Sequence, residues 1–192
     1  SFPTLFAARI LRIPVLIHET DIIPGKTILW ASKFAKRIAI SFPESGKYFA
    51  QDRVALSGNP VREELFGGSA QEARNIFKLE ENLPVILVTG GSQGAQAINE
   101  SILDVILELL RFSQVIHQTG KINYDEVMAR AGLILENSPL KERYHAFPFL
   151  DERELSNSYK IAKLIISRAS GSIFEIAISG IPSILIPLST SA

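Results

Sequence analysis

Pro84-Val85-Ile86-Leu87-Val88-Thr89-Gly90-Gly91-Ser92-Gln93-Gly94-Ala95-Gln96-Ala97-Ile98-Asn99 is the stretch on which the fold turns. The apolar run 85–88 reads as a short buried strand. It halts at Gly90-Gly91, and beyond Gly94 apolar residues recur at Ile98, Ile102, Val105, Ile106 and Leu109 with helical spacing. A strand, a glycine-rich turn and a helix are the parts from which α/β proteins build an anion site. Glycine lets the backbone turn tightly and approach a ligand, and the free N–H groups and positive dipole end of the helix face the anion. Ser92 and Gln93 would add a hydroxyl and an amide. The same pattern also serves a plain strand-to-helix turn that needs glycine only for its dihedrals. It matches neither Gly-x-Gly-x-x-Gly nor the P-loop, whose lysine is absent, so this stretch alone leaves both readings open.

Working outward, strand and helix patterns alternate. Upstream, helices are expected over 2–11, 27–34 and 71–77 and strands over 15–17, 37–41 and 53–57, with a short helix from Pro43 to Phe49. Downstream, strands are expected over 114–118, 143–149, 164–167 and 183–187, and helices over 124–131, from Asp151 to Ala162, and over 173–179. Asp151 with Glu154 three residues on has the form of a capping box. Repeated β-α order implies an α/β fold with parallel sheets and helices on both faces. Residues 66–81, with Gly67-Gly68-Ser69 and Glu80-Glu81-Asn82, have the most linker-like composition. The expected domains are therefore 1–62 and 63–192, two Rossmann-like halves facing a cleft.

The bulk numbers narrow the function. Twenty basic and twenty acidic residues among 192 leave no net charge, so nucleic acid is not an expected partner. The absence of cysteine removes disulfide and thiolate chemistry, and three histidines without His-x-x-x-His spacing argue against a metal site. No apolar run is long enough to span a membrane. The first residue is Ser1 within an apolar helical stretch, and Ala192 follows a strand without a covering helix; both ends read as cut. Reduced stability and some aggregation are expected of such a piece.

Polar residues gather just beyond the strand ends, where ligands sit in open α/β sheets. His18-Glu19-Thr20-Asp21 is one such cluster; His18 fits site chemistry or a half-buried ring bonded to backbone. Arg62, leaving the Gly58-Asn59-Pro60 turn, fits a solvated surface residue or a guanidinium aimed at phosphate or carboxylate. Glu175 stands in the first turn of a helix, where the dipole alone favours an acid. A carboxylate there could also accept both hydroxyls of a ribose. Phe2, Leu5 and Phe6 with Arg9 and Arg12 fit a membrane-facing patch with a basic rim, or a core-facing helix with solvated arginines.

Taken together, several stretches resemble the bacterial MurG family of glycosyltransferases. They are His18-Glu19-Thr20-Asp21 with Pro24-Gly25, Ser57-Gly58-Asn59-Pro60-Val61-Arg62, Thr89 to Ala95, Gln118-Thr119-Gly120-Lys121, Phe149-Leu150-Asp151, and Ser167-Arg168-Ala169 with Glu175 and Gly180-Ile181-Pro182. The resemblance implies a GT-B type fold, its N-terminal, acceptor-side domain incomplete and its C-terminal domain binding the donor nucleotide. It implies an inverting transferase that moves N-acetylglucosamine from UDP-GlcNAc to undecaprenyl-pyrophosphoryl-MurNAc-pentapeptide (lipid I), giving lipid II. It further implies a peripheral enzyme of peptidoglycan synthesis working at the cytoplasmic membrane face, with neither metal nor cofactor. Carried over by position, Ser92 and Gln93 would meet the diphosphate and Arg62 the donor. The backbone of Leu150 would read the uracil edge and Glu175 the ribose. Asp21 stands where the family usually has Asn and can still accept from a sugar hydroxyl. The usual catalytic base would precede Ser1, leaving His18 as the candidate within the chain. Other readings are another GT-B nucleotide-sugar enzyme, such as an epimerase or a diacylglycerol glycosyltransferase, and a nucleotide-sugar-binding piece without turnover.

Overall fold

In the computed structural model, residues 2–90 and 95–187 are described. The chain divides into two compact units, residues 1–61 and 62–192.

Unit 1 is a parallel sheet in the order β1 (Leu16–Glu19), β2 (Arg37–Ile40), β3 (Val54–Leu56). Ile17 pairs with Ile38 and Ile38 with Val54. Alternation sends Ile17, Ile38 and Ile40 into a core shared with Val15, Ala31, Ala35 and Phe49. Helix α2 (Lys26–Ser32) contributes Ala31, and a 3₁₀ turn at Pro43–Tyr48 carries the chain from β2 towards β3. Helix α1 (Phe2–Ile10) buries no residue completely. Leu5 and Ala8 lie against the core, and Phe2 meets Trp30 with ring centroids 4.9 Å apart. Arg9 is exposed, as expected of a solvated arginine, and its guanidinium lies 5.0 Å over the ring of Phe34.

Unit 2 is a five-stranded parallel sheet. Its strands are β4 (Val85–Thr89), β5 (Gln114–Gln118), β6 (Tyr144–Phe147), β7 (Ala162–Arg168) and β8 (Ser183–Ile186), in spatial order β6-β5-β4-β7-β8. All of β4 and β5 is buried. Neighbouring residues of β4 serve opposite faces. Val85 and Leu87 join Phe77, Ile116, Leu150, Tyr159 and Ile165, while Ile86 and Val88 join Ile98, Ile102, Ile106, Leu110 and Val115. That is why the strand reads as a continuous apolar run rather than an alternation. The helices are α3 (Ala70–Phe77), α4 (Gln96–Asp104), α5 (Ile106–Leu110), α6 (Tyr124–Leu135), α7 (Glu152–Ile161) and α8 (Ile173–Ser179). The chain starts in the middle of the sheet, builds outward to β6 and returns to place β7 on the other side of β4. The strand order therefore reverses between β4 and β7, where a crevice opens at the C-terminal ends.

Three sequence expectations change in detail. The helical pattern after Gly94 is broken at Val105 (φ −116°, ψ 10°), which ends α4 and begins α5. Helix α6 continues past Ala131 through Gly132 to Leu135, because Leu135 is buried in the core. The linker-like stretch is docked rather than loose. Leu65 is 1% exposed, and Ala73 and Phe77 enter the core. Ser69 N–H donates to Asn157 Oδ1 at 2.8 Å, and Ser156 Oγ–H donates to Glu64 O at 3.0 Å. Gly68 passes so close to α7 that a Cβ would stand 2.3 Å from the Ser156 carbonyl oxygen. Glycine here marks close approach, which composition cannot distinguish from looseness.

Candidate functional site

The crevice at the reversal is a cleft of about 530 Å³ lined by Arg62, Thr89, Gln118, Leu150, Tyr159 and Glu175 among others. All of these belong to unit 2. Thr89 and Gln118 are the last residues of β4 and β5, so the sheet itself fixes them. Gln118 Nε2 donates to Thr89 Oγ1 at 3.5 Å, and Gln118 Oε1 accepts the backbone N–H of Leu150 at 3.0 Å. The residue after Leu150 caps α7 as the sequence foretold. Asp151 Oδ1 accepts from Glu154 N–H at 2.8 Å and Glu154 Oε2 from Asp151 N–H at 2.9 Å. A strand-end side chain and a capping box thus hold the 149–151 turn from both sides.

Glu175 lies in the first turn of α8 with its side chain 11% exposed. Its two oxygens accept from Arg62, Oε1 from Nε at 2.8 Å and Oε2 from Nη2 at 3.1 Å. This is the fork geometry of a bidentate pair. The bond to Glu175 raises the Arg62 pKa against the opposing effect of burial. Because the Arg62 side chain is 48% exposed, screening holds the pair's net worth to about 1 kcal/mol or less. Burial, with a smaller effect from Glu175, pushes the Tyr159 hydroxyl up to about 12, so it stays a neutral donor.

Behind the cleft lies a second polar cluster. His117, fully buried in β5, has Nε2 at 3.0 Å from Asn99 Oδ1 and Nδ1 at 2.8 Å from Tyr144 Oη. Asn99 Nδ2 donates to Thr119 O at 3.0 Å. That bond turns Asn99 Oδ1 towards the ring, so Nε2 carries the proton and Nδ1 accepts from the tyrosine hydroxyl. Burial holds the ring neutral and lowers its pKa to about 4. Through this chain, α4 is tied to the exit of β5.

Of the residues singled out in sequence, Arg62, Leu150 and Glu175 meet in the cleft. Ser92 and Gln93 lie outside the described residues. His18 and Asp21 belong to unit 1. There His18 Nε2 donates to Gly58 O at 3.0 Å and lies 3.1 Å from Ser41 Oγ, and Asp21 N–H donates to Glu19 Oε1 at 2.9 Å. Gln118 and Thr89 entered only as members of quoted stretches with no role of their own, and Asn99, His117 and Tyr144 were not singled out. A histidine inside the apolar run Val115-Ile116-His117 was the available signal. Among the described residues, no group of three or more His, Asp or Glu is placed to hold a metal ion.

Comparison with known proteins gives matches along the chain. The glycosyltransferase family 28 C-terminal domain model matches residues 85–192, and the corresponding N-terminal domain model matches residues 1–40. A UDP-N-acetylglucosamine--N-acetylmuramyl-(pentapeptide) pyrophosphoryl-undecaprenol N-acetylglucosamine transferase from Treponema denticola is 35% identical, over 98% of this chain and 49% of that protein. The protein of the same name from Clostridium tetani is 36% identical, over 100% of this chain and 51% of its own length. The crystal structure of Acinetobacter baumannii MurG superposes with a TM-score of 0.67 at 28% identity, covering 98% of this chain and 50% of that one. The chain thus spans about half the length of the relatives it matches.

Proposed function

This chain belongs to glycosyltransferase family 28, and on that footing we propose that unit 2 binds the nucleotide of UDP-N-acetylglucosamine for transfer of the sugar to lipid I, forming lipid II. The fold is of the GT-B type shared with MurG. The observation that carries the reading is the position of Glu175. Its carboxylate enters a cleft at the switch point of a parallel sheet, across from the turn at Leu150. An acid there suits the two hydroxyls of a ribose. The turn at Leu150, fixed by Gln118 and the capping box, supplies main-chain groups in a set position for a base edge. The Leu150 N–H is engaged by Gln118, so its carbonyl is the group left to meet the N3–H of uracil. The diphosphate is assigned to the glycine-rich segment between β4 and α4, where helix N–H groups and dipole favour an anion.

The reaction is a single displacement. The acceptor oxygen forms a bond to C1 of the sugar on the face opposite the departing diphosphate, the C1–O bond to phosphate breaks, and the acceptor proton leaves to a base. The role of unit 2 is to hold the leaving nucleotide and accommodate the charge it gains. Unit 1 is assigned to the acceptor side, with Asp21 as a sugar contact and His18 as its candidate base. The acceptor's lipid places the work at a membrane surface. Among the described residues, no helix is long and apolar enough to cross one.

Calorimetric titration tests the reading. UDP-GlcNAc is expected to bind more tightly than UDP-glucose, and Glu175→Ala to weaken it by about tenfold to a hundredfold, the worth of hydrogen bonds to a charged group. Equal affinity for wild type and Glu175→Ala would remove the ribose assignment.

A further inference from the structure

Resting on the reading of Glu175 as the ribose acceptor, we propose that Arg62 is a specificity-determining residue that makes the ribose site respond to a phosphate in the ligand, so that the cleft favours nucleoside diphosphates over bare nucleosides. Both Glu175 oxygens are engaged by the Arg62 fork, at 2.8 and 3.1 Å. A ribose needs those same two acceptors, because its adjacent hydroxyls both donate. Sugar and guanidinium therefore compete for one carboxylate.

The geometry fixes what can move. Glu175 is rooted in α8 beside buried Ile176. The backbone following Arg62 is anchored, with Leu65 buried and Glu64 O accepting from Ser156 on α7 at 3.0 Å. The Arg62 side chain is 48% exposed and carries the freedom. A bare nucleoside that displaces it takes away the bidentate partner and leaves the guanidinium with water and the more distant charge of Glu152, which lines the same cleft. A nucleoside diphosphate offers a second partner of the same shape and charge, since phosphate oxygens match the arginine fork as carboxylate does. The apparent affinity for a nucleoside is reduced by the fraction of molecules in which Glu175 is unclaimed. A diphosphate removes that reduction by engaging the arginine itself.

The test is calorimetric titration of wild type, Arg62→Lys and Arg62→Ala with uridine and with UDP. Arg62→Ala is expected to bind uridine about threefold to fivefold more tightly than wild type, the release of a half-exposed ion pair. The same variant should bind UDP about tenfold more weakly for loss of a charge-assisted contact. Arg62→Lys, which keeps the charge but not the fork, should fall between the two for uridine. Uridine affinity unchanged or weakened in Arg62→Ala, in a sample whose circular dichroism melt matches wild type, would overturn the proposal. So would a parallel loss of uridine and UDP binding in both variants. Glu175→Gln separates the two levels. If it leaves UDP affinity untouched, the ribose reading falls and takes this inference with it. If it weakens UDP while uridine does not respond to Arg62, the inference alone falls.

Discussion

At the C-terminal ends of β1 and β2, the His18 ring and the Ser41 hydroxyl both turn to one carbonyl, that of Gly58, and buried Glu19 spends one carboxylate oxygen on the Asp21 N–H. At the ends of β4 and β5, Gln118 and Thr89 hold each other, and Gln118 reaches outward to the 149–151 turn. Both regions place short polar residues beyond parallel strands. In the first, those residues bond to the chain they sit in, with Glu19 Oε2 buried and, among the described residues, without a hydrogen-bond partner. In the second, they brace a neighbouring turn and leave a cleft of about 530 Å³. A polar cluster at a strand end is therefore a weak sign of a site by itself. What distinguishes unit 2 is that its cluster braces a turn that lines a cleft, together with a carboxylate engaged by an arginine.

The comparison can be broken most forcefully with acid. His117 is fully buried, with a pKa of about 4 against an ordinary value near 6.5. The unfolded chain therefore takes up the proton first as pH falls, so the stability from the neutral ring is complete above about pH 6.5 and lost between there and pH 4. The expected loss is about 3 kcal/mol, read from urea unfolding at pH 7 and pH 4. His145, whose pKa is also lowered by burial, acts in the same direction. His117→Gln should flatten the pH dependence, and an unchanged slope would remove the buried cluster from the account. The next effect is smaller. Gln118→Leu leaves the N–H of Leu150, a residue 1% exposed, without its acceptor, and should cost about 2 kcal/mol in the same unfolding measurement. The smallest belongs to unit 1. Ser41→Ala should cost about 0.5 kcal/mol, because the Gly58 carbonyl keeps its bond from His18. A cost at Ser41 equal to that at Gln118 would erase the distinction between the two strand ends.

The framework was legible because it rests on local pattern. The run 85–88 lies within β4, the capping box at Asp151 and Glu154 is present, and 173–179 is helical as expected. In residues 66–81 the expected helix over 71–77 is present, but the docking of the stretch was not legible, for a physical reason. Gly67-Gly68-Ser69 has the composition of a tether, yet Gly68 is there to let backbone touch backbone, and that contact lies 88 residues away at Ser156. The pairing of Arg62 with Glu175, 113 residues apart, was equally out of reach of spacing. Each residue could be placed at a strand end or a helix start from its neighbours, but only the closed sheet brings guanidinium and carboxylate together. The cluster of Asn99, His117 and Tyr144 draws on a helix and two strands, and only His117, a histidine in an apolar run, stands out from local sequence.

The reversal of strand order between β4 and β7 has a consequence for descent with modification. The residues facing the cleft hang from turns and strand tips, while the strands beneath are covered on both sides by Leu87, Ile116, Ile165 and their opposites Val88, Val115 and Ile166. A lineage can redraw the tips one residue at a time without reopening the layers below. Leu150, Tyr159 and Gln118 answer to both folding and ligand, but at the exposed tips selection on what the cleft accepts falls on residues that folding does not need, and there the scaffold is free to change its ligand before it changes its shape.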